Sequence, residues 1–416
     1  LVADQAHRQL LLHLFIIPLF RPFGCSFFVR DCLKAFSTGT KLGKLAFPCQ
    51  GMATTNNDLF LKLWFEVACG DIKFDAESEE DTIDNKYFPY NKGGEFRKWF
   101  GNNAYVIFFR NKGEDVCRYI DSHSKVNHTG RVINRDRYFK ENFTWGALAS
   151  SLSCRYSQKG FIFDTKGSSC FSYDKGKLLY YLGFMNSVVC SKILSLLAPT
   201  LDFNCGTLAK TPILFSETHH KEVNNWVTSS IEISKSDWDS FETSWDFQRH
   251  PLVTPAIDQH YMLLSDCWRD WERACADRFA QLKANEEELN RIFIDIYGLQ
   301  DELTPDVDDK DVTVRKADLG RDIRSLISYA VGCMVGRYSL DKPGLAFAGG
   351  AWDASQYVTY PADKDGILPI TDDEYFADDI VTMFVNWLKT VYGADTLEEN
   401  LRFISDALGG KGSPAK

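Results

Sequence analysis

The apolar positions of this chain change their period about halfway along. Up to Ser216 they come mainly as short runs between polar turns. Thr40 to Pro48 predicts a short strand, Tyr105 to Arg110 (YVIFFR) a buried strand, and Phe161 to Phe163, between Gly160 and Asp164, another. Between the first two, the polar run Thr54 to Asp58 reads as a loop. There Asn57 or Asp58 caps a short helix carrying Leu59, Phe60, Leu63 and Trp64. Val116 to Ile120 predicts a helical turn and Lys166 to Ser169 a polar turn. Lys177 to Leu197, with Leu178, Leu182, Met185, Val189, Ile193 and Leu196 at helical spacing, predicts one helix stopped by Pro199. The segment from Asp202 to Ile213 predicts a return to a sheet edge.

Beyond Ser216 the helical period takes over. Ser236 to Leu252 reads as an extended connector rich in tryptophan and acid. Amphipathic helices are then predicted over Tyr261 to Tyr297 and Asp318 to Tyr338, with the acidic loop Asp301 to Asp311 between them. Gly344 to Trp352 is a glycine-rich turn, and Asp372 to Leu388 and Leu397 to Leu408 are closing helices ended by Gly409-Gly410. The pattern implies an α+β fold: a mixed sheet-and-helix domain over residues 33–215, a connector over 216–260, a helical region over 261–340 and a helical C-terminal segment over 341–416. Residues 1–32 stand apart as an atypical segment. Leu10 to Phe28 is apolar but broken by Pro18, Arg21 and Pro22, too short for a membrane helix and poor as a secretory signal.

Composition adds little until charge is mapped. Hydrophobic residues make up 44% and charged ones 25%, enough to bury a core. None of the 12 cysteines forms a C-x-x-C pair, which argues against a zinc ribbon and for a reducing, cytoplasmic setting. The adjacent His219-His220 lack the spacing of a metal pair. The net charge is −10, yet residues 86–160 hold 14 Lys and Arg against 6 Asp and Glu. At the head of this basic island stands KYFPYNKGGEFRKWFGNN, where Lys92, Arg97 and Lys98 alternate with aromatics around Gly93-Gly94. Cations interleaved with aromatics about a flexible turn suit a polyanion with flat faces, that is, DNA or RNA. Candidate phosphate or guanine contacts are Lys92, Arg97, Lys98, Arg155 and Lys166. Asn56, Asn91 and Asn102 are candidates for adenine edges, Tyr90 and Trp99 for stacking, and Thr54 and Gly93 for close loop contacts.

The strings QGMATTNNDLF, YNKGGEFRKWFGNN, CRYSQKGFIFD, LLYYLGFMNSVV, SWDFQRHPL and NEEELNRIFIDIYGLQDELTPDV together resemble one family. They are similar to the C-terminal portion of the BREX phage-defence adenine-specific DNA methyltransferases of the PglX type, from about Leu33 to Gly412. The resemblance implies transfer of a methyl group from S-adenosylmethionine to adenine N6 in double-stranded DNA. Other BREX subunits or a phage inhibitor are implied as possible partners, and no membrane. That chemistry needs a glycine-rich cofactor loop and an Asn/Asp-Pro-Pro-Tyr/Phe motif to hold the flipped base. None of the 13 prolines adjoins another, and no F-x-G-x-G occurs. The expectation is therefore the target-recognition domain plus helical region of such an enzyme, with the catalytic half absent, no bound cofactor and no activity alone. Two alternatives stay open: the recognition part of a fused restriction–modification enzyme, and a protein-docking module of a defence complex.

Overall fold

The structure is a computed structural model that describes residues 34–124, 129–147, 151–197, 203–260, 262–371, 376 and 378–410. The atypical segment over residues 1–32, the stop at Pro199 and the expected helix start at Asp372 lie outside these residues. The architecture is the α+β mix that the period change implies: two four-stranded sheets, then a mainly helical C-terminal region.

The strands are β1 (Thr40–Lys41), β2 (Ala46–Cys49), β3 (Leu61–Leu63), β4 (Tyr87–Asn91) and β5 (Tyr105–Phe108). They continue with β6 (Asn142–Gly146), β7 (Cys154–Ser157), β8 (Ile162–Phe163), β9 (Gly167–Ser172) and β10 (Pro212–Ile213). One sheet runs β2-β9-β6-β7, wholly antiparallel, and the other runs β3-β5-β4-β8, with β4 and β8 parallel. β1 pairs with β10, the sheet-edge return expected near Ile213. Alternation sends Phe143 and Trp145 of β6 to one face of the first sheet, with Tyr156 and Cys154 opposite them on β7. Against that core packs α2 (Leu178–Met185), whose residues are nearly all buried. The second sheet closes its own core around Phe88, Tyr90, Ile107 and Ile162.

Several expected elements differ, each for a local reason. The helix expected over Lys177 to Leu197 is two, α2 and α3 (Val188–Leu197), bent by 76°. At the break the side chain of Asn186, which caps α2, exchanges hydrogen bonds with the backbone of Cys154, and Val188 N donates to Asn290 Oδ1. The turn expected over Val116 to Ile120 is part of a longer α1 (Arg110–His123), kinked at Asn111 to Gly113. Near Asn57 the helix is a single turn, Asn57–Phe60. Its cap is Asn56, whose side chain accepts from Leu59 N, and Leu61–Leu63 continues as β3 because Leu61 pairs with Ile107. The polar turn expected at Lys166 to Ser169 is mostly the start of β9. The extended connector begins as the end of a 20-residue helix, α4 (His220–Asp239), and continues as turns into α5 (Val253–Gln259).

The organising helix of the second half is α6 (Leu264–Tyr297), 34 residues and about 50 Å long. Its C-terminal part, with Phe279, Leu289 and Phe293, lies in the core beneath the first sheet. Its N-terminal part, with Cys267, Trp268 and Trp271, lies in a second core made with α7 (Leu319–Met334), α8 (Ile380–Tyr392) and α9 (Leu397–Ala407). One helix thus carries the first-sheet core and the helical core together.

That second core holds an acid-sensitive group. His250 is buried, its Nδ1 accepts from Leu252 N at 3.2 Å, and burial pushes its pKa down from 6.5 to about 3. Between those values the unfolded chain carries a proton that the folded chain refuses. Stability is therefore complete above the unfolded value and falls with pH below it, by about 1.4 kcal/mol per unit for this one group. Urea unfolding of the His250→Gln chain should show a shallower loss between pH 6.5 and about 5; an unchanged slope would mean that His250 protonates in place.

Candidate nucleic-acid interface

The candidates around the glycine turn sit where the two sheets meet. β4 ends at Asn91, and the chain crosses from the second sheet to the first before returning as β5. On the way Trp99 joins the edge of the first sheet: its N donates to Cys154 O at 2.9 Å and its carbonyl accepts from Tyr156 N at 2.7 Å. The turn needs unusual backbone: Gly93 and Gly94 have φ of +93° and +138°, and Asn102 has +59°. Where the strands converge, glycine lets backbones touch. A Cβ on Gly167 would lie 2.4 Å from Asn91 O and 2.7 Å from Gly93 N. Gly167→Ala should therefore destabilise the chain by roughly 1–3 kcal/mol, read by urea unfolding, because backbone and not a flexible side chain must move.

Four of the candidates converge at this turn. Lys92 holds its ammonium 4.8 Å from the centre of the Tyr105 ring, and Lys166 is exposed. Among the described residues neither lysine has a carboxylate partner. A Cβ on Gly93 would be 3.4 Å from Lys166 O, so the two loops lie side by side. Beneath them Arg155 is buried on β7, its Nη2 donating to Gly93 O at 3.4 Å. Burial pushes Arg155 down to about 10, with neighbouring Arg97 pushing the same way, so it still carries its charge at neutral pH. A cation under a glycine turn, with two lysines on top, makes a positive rim.

The other candidates are placed elsewhere or used internally. Arg97 and Lys98 point away from the turn, into the helices. Arg97 Nη2 meets Asp237 Oδ2 of α4 at 2.6 Å, and Lys98 Nζ is paired with Glu286 of α6. Trp99 Nε1 donates to the other oxygen of Glu286 at 2.7 Å, so this tryptophan is a core side chain with no free face. Tyr90 is fully buried, its hydroxyl donating to Asp164 Oδ2 at 3.0 Å, and burial raises its pKa well above the usual phenol value. Asn91 donates to Ser157 Oγ, Thr54 donates to Asn57 Oδ1, and Asn102 donates to Glu95 O. Asn56 spends its oxygen on the cap and its amide on the Tyr119 hydroxyl.

The acidic partners of the basic island lie outside it in sequence. Glu77, Glu79 and Glu80 pair with Lys159, Arg135 and Lys112. Much of the positive excess over residues 86–160 is thus balanced within the fold. The spacing of cations along the chain carries no signal for this, because the partners from outside the island lie 15 to 188 residues away in sequence.

No group of three or more His, Cys, Asp or Glu side chains that could hold a metal occurs among the described residues, and no disulfide joins the described cysteines. The glycine-rich stretch at Gly344 is an irregular loop whose Gly344 N donates to Gln248 O, with no strand-to-helix turn to cradle a cofactor. No single helix among the described residues is long and apolar enough to cross a membrane.

Comparison with known proteins names the class of enzyme to which this chain is related. The chain is 47% identical over 375 residues to the adenine-specific methyltransferase PglX of Lacticaseibacillus casei (strain Zhang), covering 88% of this chain and 31% of that protein. It is 36% identical over 408 residues to the adenine-specific methyltransferase BrxX of Escherichia coli O9:H4 (strain HS), covering 92% and 31%. No family model matches. The chain is thus homologous to a portion of the PglX-type adenine-specific methyltransferases, as its motifs implied, and spans about a third of the length of these relatives.

Proposed function

We propose that this chain is the DNA-gripping, target-recognition portion of a BREX-type, S-adenosylmethionine-dependent adenine methyltransferase. The observation that carries this reading is the positive rim of Lys92, Lys166 and buried Arg155 around the Gly93-Gly94 turn, in a chain so closely related to that enzyme class. Double-stranded DNA is the partner, gripped through phosphates that lie against the glycine backbone, where no side chain keeps them at a distance. Methyl transfer would need a flipped-base motif and a cofactor loop, and the chain has no adjacent prolines to build the first. Its contribution is to hold and orient the duplex for that chemistry.

The test is to incubate the chain with duplex DNA and labelled S-adenosylmethionine, and to follow DNA binding and label transfer separately. Duplex binding at low salt without transferred label is the expected result. Transfer of label would overturn the division of labour, and failure of the folded chain to bind duplex would overturn the recognition role.

A further inference from the structure

The helical half carries a second site that DNA recognition does not use. Between the C-terminal end of α7 and the loop that follows lies a cavity of about 500 Å³. Its wall is aromatic: Trp352 lies flat on Tyr357, centroids 4.5 Å apart and planes 5° apart, and Phe347 meets Trp352 edge-on at 5.5 Å. Gly336 lies under the indole, where a Cβ would come within 2.5 Å of the ring, and the Tyr357 hydroxyl donates to Gly336 O at 2.6 Å. The stack is therefore fixed from behind, yet Trp352 remains 49% exposed. Val358 and Ile367, which follow the lining residues Tyr357 and Gly366 in the chain, are 76% and 68% exposed. A rigid, half-exposed tryptophan in the wall of a cavity has the anatomy of an interaction hot spot.

Charge selects the occupant. Asp363 and Asp365 line the cavity with Lys364, and Asp353 lies just beside it. Burial acts to raise Asp363, but hydrogen bonds from the Asp365 and Gly366 amides outweigh it and hold the carboxyl below its usual range. Hydrogen bonds from Ser355 and Gln356 do the same for Asp353. Both are charged at neutral pH. A nucleic acid would meet these carboxylates with its phosphates, so the site does not suit DNA. An arginine or lysine beside an apolar anchor would instead find carboxylates to pair with and an indole face to lie on. We propose that this cavity docks a segment of a partner protein that carries an aromatic or aliphatic anchor next to basic residues.

The test uses two short synthetic peptides, a phenylalanine flanked by arginines and the same residue flanked by glutamates, titrated against the whole chain. The basic peptide should bind and the acidic one should not. Trp352→Ala should weaken binding by about tenfold, the loss of one hot-spot side chain. Lys364→Glu, an exposed change that leaves the aromatic wall intact, should tighten it by roughly threefold. Equal binding of both peptides would overturn the charge argument, and binding of neither by a chain shown folded by circular dichroism would overturn the site. Displacement of the basic peptide by duplex DNA would reassign the cavity to nucleic acid.

Discussion

Replacing Glu286 by alanine should destabilise the chain by roughly 3–5 kcal/mol, the largest effect expected of any single change at the junction. Glu286 is 4% exposed and holds two groups of the crossing segment, the ammonium of Lys98 and the indole of Trp99. Truncation would leave a buried ammonium without its counter-charge and a buried indole N–H without an acceptor, and both penalties fall on the folded state alone. The paired change Lys98→Met with Glu286→Leu should recover most of the loss, because the charge is then removed together with its partner. Full recovery is not expected, since Trp99 still lacks its acceptor. Urea midpoints of the single and paired variants provide the check; a Glu286→Ala chain within about 1 kcal/mol of the parent would mean that this junction does not hold the sheets to the helices.

The second large effect is on binding and should leave stability alone. Lys92 and Lys166 have no carboxylate partner among the described residues, so removing them uncovers no buried charge. If each meets one phosphate, their joint replacement by alanine should lower the slope of log affinity against log salt by about 1.8. Measured from a common value at 1 M salt, that is roughly a sixtyfold loss at about 0.1 M. Arg97 and Lys98 stand only a few residues away in sequence, yet they should behave in the opposite way. Their partners Asp237 and Glu286 are 1% and 4% exposed, and the variants should fail by unfolding.

That contrast marks how far the chain could be read without its structure. The amphipathic stripes of Leu264–Tyr297, Leu319–Met334 and Leu397–Ala407 were legible, because burying one face of a long helix leaves a periodic trace. The buried strand at Tyr105–Phe108 was legible as an apolar run. The break between Met185 and Val188 was not, since the apolar stripe continues across it and the cause is a tertiary hydrogen bond from Asn186 to Cys154. Of the residues singled out by type around the glycine turn, Lys92, Gly93, Arg155 and Lys166 come together in the fold. Alternation of cation and aromatic could not tell a surface lysine from a buried one. Arg97, Lys98 and Trp99 have the composition of a nucleic-acid contact and the position of a latch, because their counter-charges come from helices more than a hundred residues downstream.

The most direct test of the recognition role is fluorescence anisotropy of the chain with a mixed-sequence duplex across a salt series, set beside the Lys92→Ala/Lys166→Ala chain. The account predicts a steep negative log–log slope for the parent chain and a slope shallower by about 1.8 for the variant, with unfolding midpoints that coincide. Identical slopes for the two chains would contradict it, placing DNA contact, if any, away from the glycine turn.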